Sequence, residues 1–406
     1  SLSLRPGEYF TSDASLGYRV RRYNDRFRVE GGYRDTESIV MRWNGRHAPL
    51  QRAIETDWLY EALTERTPTM QEIYVQTTPD YPEAQYVWED ANGDGLVQVD
   101  EFLPELTPNE GTYARTFIPS DSLTAVVGVQ SRLRLELDPS RILDANAGTL
   151  QRALSQVSSR TVIEVQDKNR SSDLAAVYLL RPSALLEPGL TLNGRVRFQQ
   201  ELFLFRRNPR YGVDLSFSDL KALNELASGR ESRRFVNWRA ESRYRFTESI
   251  SGRFMAQLDR NRLESDAFST RRYDLRALTL EPQLILIPMR GVEMRMSSAL
   301  SRKRDRFFDR SARVIRVPVE LRYMKASRLQ VTGRFEWANT AIEGDATGLA
   351  RYELTDGRGP GTSFLWHLNA QYRLNEYLRA SLAYDARAPE NAPVLHTLRL
   401  QMSAVF

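Results

Sequence analysis

The chain has no cysteine, and its 406 residues include only four lysines (Lys168, Lys221, Lys303, Lys325) and three histidines (His47, His367, His396). Without thiols there is no disulfide framework, no thiolate metal centre and no cysteine nucleophile. Mean hydropathy is -0.50 and no run of about 18 apolar residues occurs, which excludes a membrane-spanning helix. A membrane-spanning strand is not excluded, because such a strand shows only every second side chain to lipid and averages to the hydropathy of a soluble protein. A charged-then-apolar secretory leader is also missing at Ser1, so the numbered sequence reads as a mature form or as the C-terminal part of something longer.

Arginine is what the chain has instead. The formal net charge is +5 and nearly all of the positive charge is guanidinium. Nucleic-acid binding wants that charge gathered into one patch among aromatics. Here it alternates with apolar residues along the chain, so no nucleic-acid partner is expected.

The clearest pattern lies at the C-terminus, where Val394, His396, Leu398, Leu400, Met402, Ala404 and Phe406 alternate with Leu395, Thr397, Arg399, Gln401, Ser403 and Val405. A period of two is a strand with its faces in different solvents. The pattern recurs at Phe364 to Arg373, Leu378 to Asp385, Leu329 to Trp337, Ile315 to Tyr323 and Val236 to Phe246. At Tyr273, Leu275 and Ala277 the apolar residues are odd, but at Leu278, Leu280, Leu284 and Leu286 they are even, which predicts a bulge near Leu278.

Short turns at Thr247 to Ser249, Pro288 to Arg290, Lys325 to Ser327 and Asn375 to Glu376 alternate with longer polar segments at Glu264 to Thr270, Asp305 to Arg310 and Gly344 to Thr362. Short turns on one side and long loops on the other are a barrel's two faces, and placing Phe406 at the periplasmic side makes every short turn periplasmic. The fold expected is therefore an all-β transmembrane antiparallel barrel of about 16 strands (range roughly 12 to 16) with a long extracellular insertion. Residues 1–45 supply the first strands or a short hairpin, with candidates at Leu16–Tyr23, Phe27–Tyr33 and Ile39–Trp43; 46–122 form the insertion; 123–406 form the main barrel. A soluble sandwich or propeller alternates too. Strands of roughly 10 to 15 residues, rather than about 5 to 6, argue for the barrel, as do Trp238, Phe246, Trp337, Trp366, Tyr372 and Phe406, read as lying toward strand ends.

On the face opposite the apolar one stand Arg239, Arg243, Arg295, Arg316, Arg334, Arg373, Arg379 and Arg399, interleaved with Glu241, Glu336 and Asp385. They read as lumen-lining residues whose cross-strand ion pairs brace the wall, and whose arginine surplus tilts a pore toward anions. His367 falls near Asp385 across one turn, an acid–base pair in principle. No serine pattern or oxyanion device accompanies it, so no catalytic residue is assigned.

The insertion holds the most specific motif. Asp90, Asn92, Asp94, the Leu96 carbonyl, Gln98 and Glu101 stand at positions 1, 3, 5, 7, 9 and 12 of an EF-hand-type loop, with Gly95 at position 6. Calcium needs six or more oxygens around one point, and this spacing supplies them. Pro79, Pro82 and Pro104 leave no flanking helices, so the expectation is a solitary Ca²⁺ loop; the alternative is an Asx-rich turn without metal. Upstream, Leu50, Ile54, Trp58, Leu59 and Leu63 recur at helical spacing and predict a helix packed on the loop or the barrel mouth.

The stretch Tyr86 to Gly95, with Asp100, Glu101, Phe102 and Tyr113 to Pro119, resembles a signature of large surface proteins of Bacteroidota-type bacteria, as does Asn224 to Arg233. That resemblance covers about a third of the chain and implies a C-terminal barrel region, without an activity. The terminal aromatic Phe406 likewise resembles the signal that outer-membrane barrels present to the assembly machinery. Partners then expected are outer-membrane lipid, that machinery and proteins of a surface or secretion-related complex. Three functions stay open: a channel or transporter with a calcium-stabilised external loop, a non-conducting anchor or scaffold, and a barrel hydrolase.

Overall fold

The structure, a computed structural model, describes all residues except 23–35, 79–80, 82, 91, 107–109, 144–147, 326–327, 376, 391–392 and 405–406. The strand candidate Phe27–Tyr33 and the terminal Phe406 therefore lie outside the described residues. Among the described residues twenty strands form one sheet. The first half comprises β1 (Leu2–Gly7), β2 (Phe10–Arg21), β3 (Thr36–His47), β4 (Ile54–Gln76), β5 (Ala84–Trp88), β6 (Phe102–Pro104), β7 (Tyr113–Leu137), β8 (Val157–Asn169), β9 (Thr191–Leu204) and β10 (Tyr211–Leu226). The second half comprises β11 (Gly229–Arg245), β12 (Ile250–Ser265), β13 (Tyr273–Met289), β14 (Val292–Ser297), β15 (Ala299–Asp305), β16 (Ser311–Lys325), β17 (Leu329–Glu343), β18 (Gly361–Arg373), β19 (Leu378–Pro389) and β20 (Leu395–Ala404).

Neighbours in sequence pair antiparallel from β7 through β20, as the alternation requires. Strands β14 and β15 are one strand interrupted at Ser298. That residue faces Pro282 of β13, which accepts from Ser298 N but has no N–H to return. Taking these two as one, and setting aside short β1 and the β5–β6 hairpin, sixteen long strands build the wall. Among the described residues no ladder joins β20 to β1 or β2.

Two expectations about the N-terminal part are corrected. Residues 54–76 are not a helix but the 23-residue strand β4, paired with β3 and, over nearly its whole length, with the 25-residue β7. Polar Glu55, Asp57 and Glu61 oppose Ile54, Trp58, Tyr60 and Ala62 along it; Leu59 and Leu63, on the polar parity, blur the alternation into helical spacing. The wall therefore continues through much of 46–122, and the insertion proper is the segment between β4 and β7, carrying β5 and β6. Since β1 pairs with β2, β2 with β3 and β3 with β4, these N-terminal strands belong to the same sheet rather than to a separate hairpin.

The expected bulge near Leu278 is absent, because β12 and β13 pair without a shift from Ile250/Leu286 to Leu263/Tyr273. Tyr273, Leu275 and Ala277 face inward instead. There Tyr273 and Leu275 pack with Leu263 and Ala312 against Ala350 and Leu354 of the helix Gly348–Thr355, here α2, in the β17–β18 connection. Fully burying side chains of this size is worth roughly 1.5 to 3 kcal/mol each, enough to explain apolar residues on the polar parity. A second helix, α1 (Leu174–Tyr178) in the β8–β9 connection, does the opposite and covers the outer face, setting Val177 on Ala62, Val127 and Val129.

Turn lengths follow the expectation with two exceptions. The connection after β7 has 19 residues, 138–156, on the short-turn side, and the two-residue turn Ala227–Ser228 joins β10 to β11 on the other side. Trp238, Trp337 and Trp366 are corrected to mid-strand positions, while Phe246 and Tyr372 do lie at the short-turn end. Trp238 continues an outer aromatic band, with ring centroids 4.2 Å from Phe217, itself 5.9 Å from Phe198.

Candidate functional site: inner wall and mouth

Strand register puts Arg239, Arg243, Arg295, Arg316, Arg334, Arg373, Arg379, Arg399, Glu241, Glu336 and Asp385 on one face of the sheet, the face that carries α2. The interleaved signs meet. Glu241 takes Arg239 at 2.5 Å and Arg253 at 3.0 Å, Arg295 lies 2.5 Å from Glu293, and Glu336 takes Arg334 at 2.7 Å and Arg358 at 2.6 Å. Arg373 is different, for it stands directly opposite Arg379 in the β18–β19 ladder. With Arg328 they line a cavity of about 490 Å³ at the short-turn end. Like charges directly opposite repel, so this pair is held at a cost that an anion would relieve.

His367 Nδ1 lies 2.5 Å from Asp385 Oδ1, so the sequence-expected pair forms. Leu106, Arg334, Glu336, Arg358, Leu365, Trp366 and Ala386 complete the lining of a cavity of about 310 Å³ there, and no hydroxyl or thiol is among these side chains.

In the insertion the calcium-type loop connects β5 to β6. Gly93 and Gly95 have φ of +75° and +72°, left-handed conformations that cost glycine little and turn the chain sharply. Asp90 accepts from Gly93 N at 2.7 Å and Gly95 N at 2.9 Å, and Asp94 accepts from Leu96 N at 2.7 Å. One carboxylate oxygen from each of Asp90, Asp94 and Glu101 lies within 4.8 Å of the others. Glu101 is 3% exposed; its Oε2 accepts from Trp88 Nε1 at 2.9 Å and Gln98 N at 3.2 Å, while Oε1 is buried without a hydrogen bond. Burying a carboxylate oxygen with nothing to bind is costly, and a hard cation is the partner this donor set fits. Asn92, Gln98 and the Leu96 carbonyl belong to the same turn, with Asn92 Nδ2 and Gln98 Nε2 both donating to Asp94 Oδ2.

Sequence patterning missed the centre of the mouth. Arg271, in the β12–β13 connection, is 5% exposed and reaches Glu72 of β4 at 3.2 Å and Glu231 of β11 at 3.5 Å, and donates to the Val99 carbonyl. Burial alone would raise the Glu72 pKa, but hydrogen bonding and charge from Arg271, with the charge of Arg115, outweigh it and hold Glu72 below the usual glutamate range. These contacts join residues up to 199 apart in sequence, so no local signal marks them.

No protein-family model matches the chain, and no curated protein matches it. Solved structures do. The ferric-catecholate import receptor Fiu from E. coli K12 has TM-score 0.45 and 10% identity over 98% of this chain and 64% of that one, so this chain spans less than two thirds of that receptor's length. OccAB4 from Acinetobacter baumannii has TM-score 0.34 and 8% identity over 98% of this chain and 99% of that one. The P. putida toluene transporter TodX has TM-score 0.24 and 8% identity over 98% and 87%. The fold stands on this chain's own ladders: it is an antiparallel β-barrel wall of the transmembrane type, apolar outside and arginine-rich inside.

Proposed function

We propose that this chain is the β-barrel of a Gram-negative-type outer-membrane channel or transport protein, with a calcium-held insertion over its external mouth. The observation that carries this is the separation of faces. Over β10 to β20 the outward parity is apolar through the middle and short-turn end of the strands, as in Trp238, Leu258, Leu398, Leu400 and Met402, with outward ion pairs such as Arg234–Asp219 and Arg260–Asp274 toward the long-loop end, while the inward parity holds paired ions with arginine in surplus. Such a wall is suited to hydrocarbon outside and water inside, and the facing Arg373 and Arg379 favour anions at the short-turn end. Outer-membrane lipid is then the solvent of the outer face, and Phe406 the residue the barrel-assembly machinery would read. The test is ion current in a planar bilayer: the proposal expects current with anion preference, and a sealed wall at every condition rejects it.

A second reading is a non-conducting anchor or scaffold for a surface or secretion-related complex. One observation favours it: α2 and the insertion lie across the mouth. A hydrolase would require hydrolysis that disappears in His367→Ala, and the side chains lining the cavity around that histidine include no hydroxyl or thiol.

A further inference from the structure

The insertion does not hang free of the wall. Its residues Glu89, Val99, Asp100, Glu105 and Glu110 contact Arg351, Arg271, Thr270, Tyr352 and Arg387, which belong to the β12–β13 connection, α2 and β19. Two of these contacts are tied to the oxygen cluster by the chain itself. Val99 and Asp100 form one 3₁₀ turn with Glu101; the Val99 carbonyl accepts from Arg271 and Asp100 Oδ2 accepts from Thr270 Oγ1. Whatever positions the Glu101 carboxylate therefore positions the grip on the β12–β13 connection.

Three carboxylates with oxygens within 4.8 Å repel one another unless a cation stands between them. With a cation, the unpartnered Glu101 Oε1 gains a ligand and the turn is drawn toward Asp90 and Asp94. Without one, repulsion is relieved by moving Glu101, and the turn carries Val99 and Asp100 away from Arg271 and Thr270. We propose that calcium in the cluster of Asp90, Asp94 and Glu101 is a latch: occupied, it clamps the insertion onto the β12–β13 connection across the barrel mouth, and its removal lets the mouth open. The gating half rests on the channel reading above; the clamp does not.

Three measurements on the full chain in lipid separate these outcomes. The Trp88 indole, hydrogen-bonded to Glu101, should sensitise Tb³⁺ luminescence that Ca²⁺ competes away and that Glu101→Gln loses; Asp94→Asn, an exposed position, repeats the test should the buried substitution disturb folding. Because the chain has no cysteine, spin labels at Val97→Cys and Ser269→Cys alone report the span from insertion to connection. One narrow distance is expected with Ca²⁺ and a longer, broad distribution after chelation. In bilayers chelation should raise conductance several-fold, and Asp94→Asn should stay open at all Ca²⁺ levels. No sensitised Tb³⁺ emission overturns the site, and a distance unchanged by Ca²⁺ overturns the latch. Equal current with and without Ca²⁺ overturns the gate. A Ca²⁺-dependent distance with no current at any Ca²⁺ level keeps the latch and rejects the channel.

Discussion

The wall from β10 to β20 and the mouth above β4 and β7 use the same residue types in opposite ways. Along much of the wall, carboxylates and guanidinia pair with near neighbours and stay open to solvent, as where Arg239 and Arg253 keep 43% and 44% of their side chains exposed beside Glu241, although pairs such as Glu336 with Arg358 are buried where a connection packs on the inner face. Pairs of that kind are worth about 0 to 1 kcal/mol each. In the mouth, Arg271 and Glu72 keep 7% and 1%, and their contacts join distant parts of the chain. The wall spreads its stability over many ladder bonds, whereas the mouth concentrates it on a few buried charges that cannot lose a partner without leaving the other stranded. A part built that way can detach as a unit while the wall persists.

The largest effect expected on this contrast is from Arg271→Ala. It leaves Glu72 buried without its main counter-charge, a loss of about 3 to 5 kcal/mol when one partner of a buried pair is removed. Hydrogen exchange should show residues of β5 and β6 deprotected while β16 and β17 are unchanged; equal protection in both would erase the distinction. Next is a charge on the outer face. Leu258→Arg, at a 55% exposed outward position of β12, should cost about 2 to 4 kcal/mol in lipid vesicles. The adjacent inward Gln257→Arg should cost less than about 1 kcal/mol, as ordinary polar-face substitutions do. Urea unfolding measures both, and equal costs would mean that the outer face does not sit in hydrocarbon.

Acid should act on the mouth before the wall. Glu72 has its pKa lowered in the folded chain, so its stabilising contribution is complete above the ordinary glutamate value near 4.5 and is lost as pH falls through the lower folded value. Spin-label distances from insertion to connection should therefore broaden below about pH 4.5, while the circular dichroism of the strands holds. The smallest effect is on selectivity: Arg373→Gln together with Arg379→Gln should move the reversal potential in a salt gradient toward zero and, by relieving the repulsion between the two, leave the unfolding midpoint no lower. An unchanged potential would place the anion preference elsewhere on the inner face.

Legibility in the sequence followed the same division. The alternation in 394–404 and 363–373 became β20 and β18 because a strand with two solvents writes its period into every residue. Two stretches misled for physical reasons. Tyr273 and Leu275 looked like a register error because Ala350 and Leu354 of α2, far along the chain, supply an apolar partner inside the wall. Leu59 and Leu63 on the polar parity disguised β4 as a helix. The oxygen cluster was readable because its donors are local in sequence, while Arg271 was not, since its partners lie in β4, β11 and the insertion.

The central claim is that successive residues of the wall face different solvents. Since the chain lacks cysteine, single spin labels can be placed at each position from Leu398 to Met402 of β20 in lipid vesicles and their accessibility measured to oxygen and to a water-soluble nickel chelate. Labels at positions 398, 400 and 402 should favour oxygen, and those at 399 and 401 the chelate, with a period of two. Uniform access to the chelate at all five positions would contradict the account.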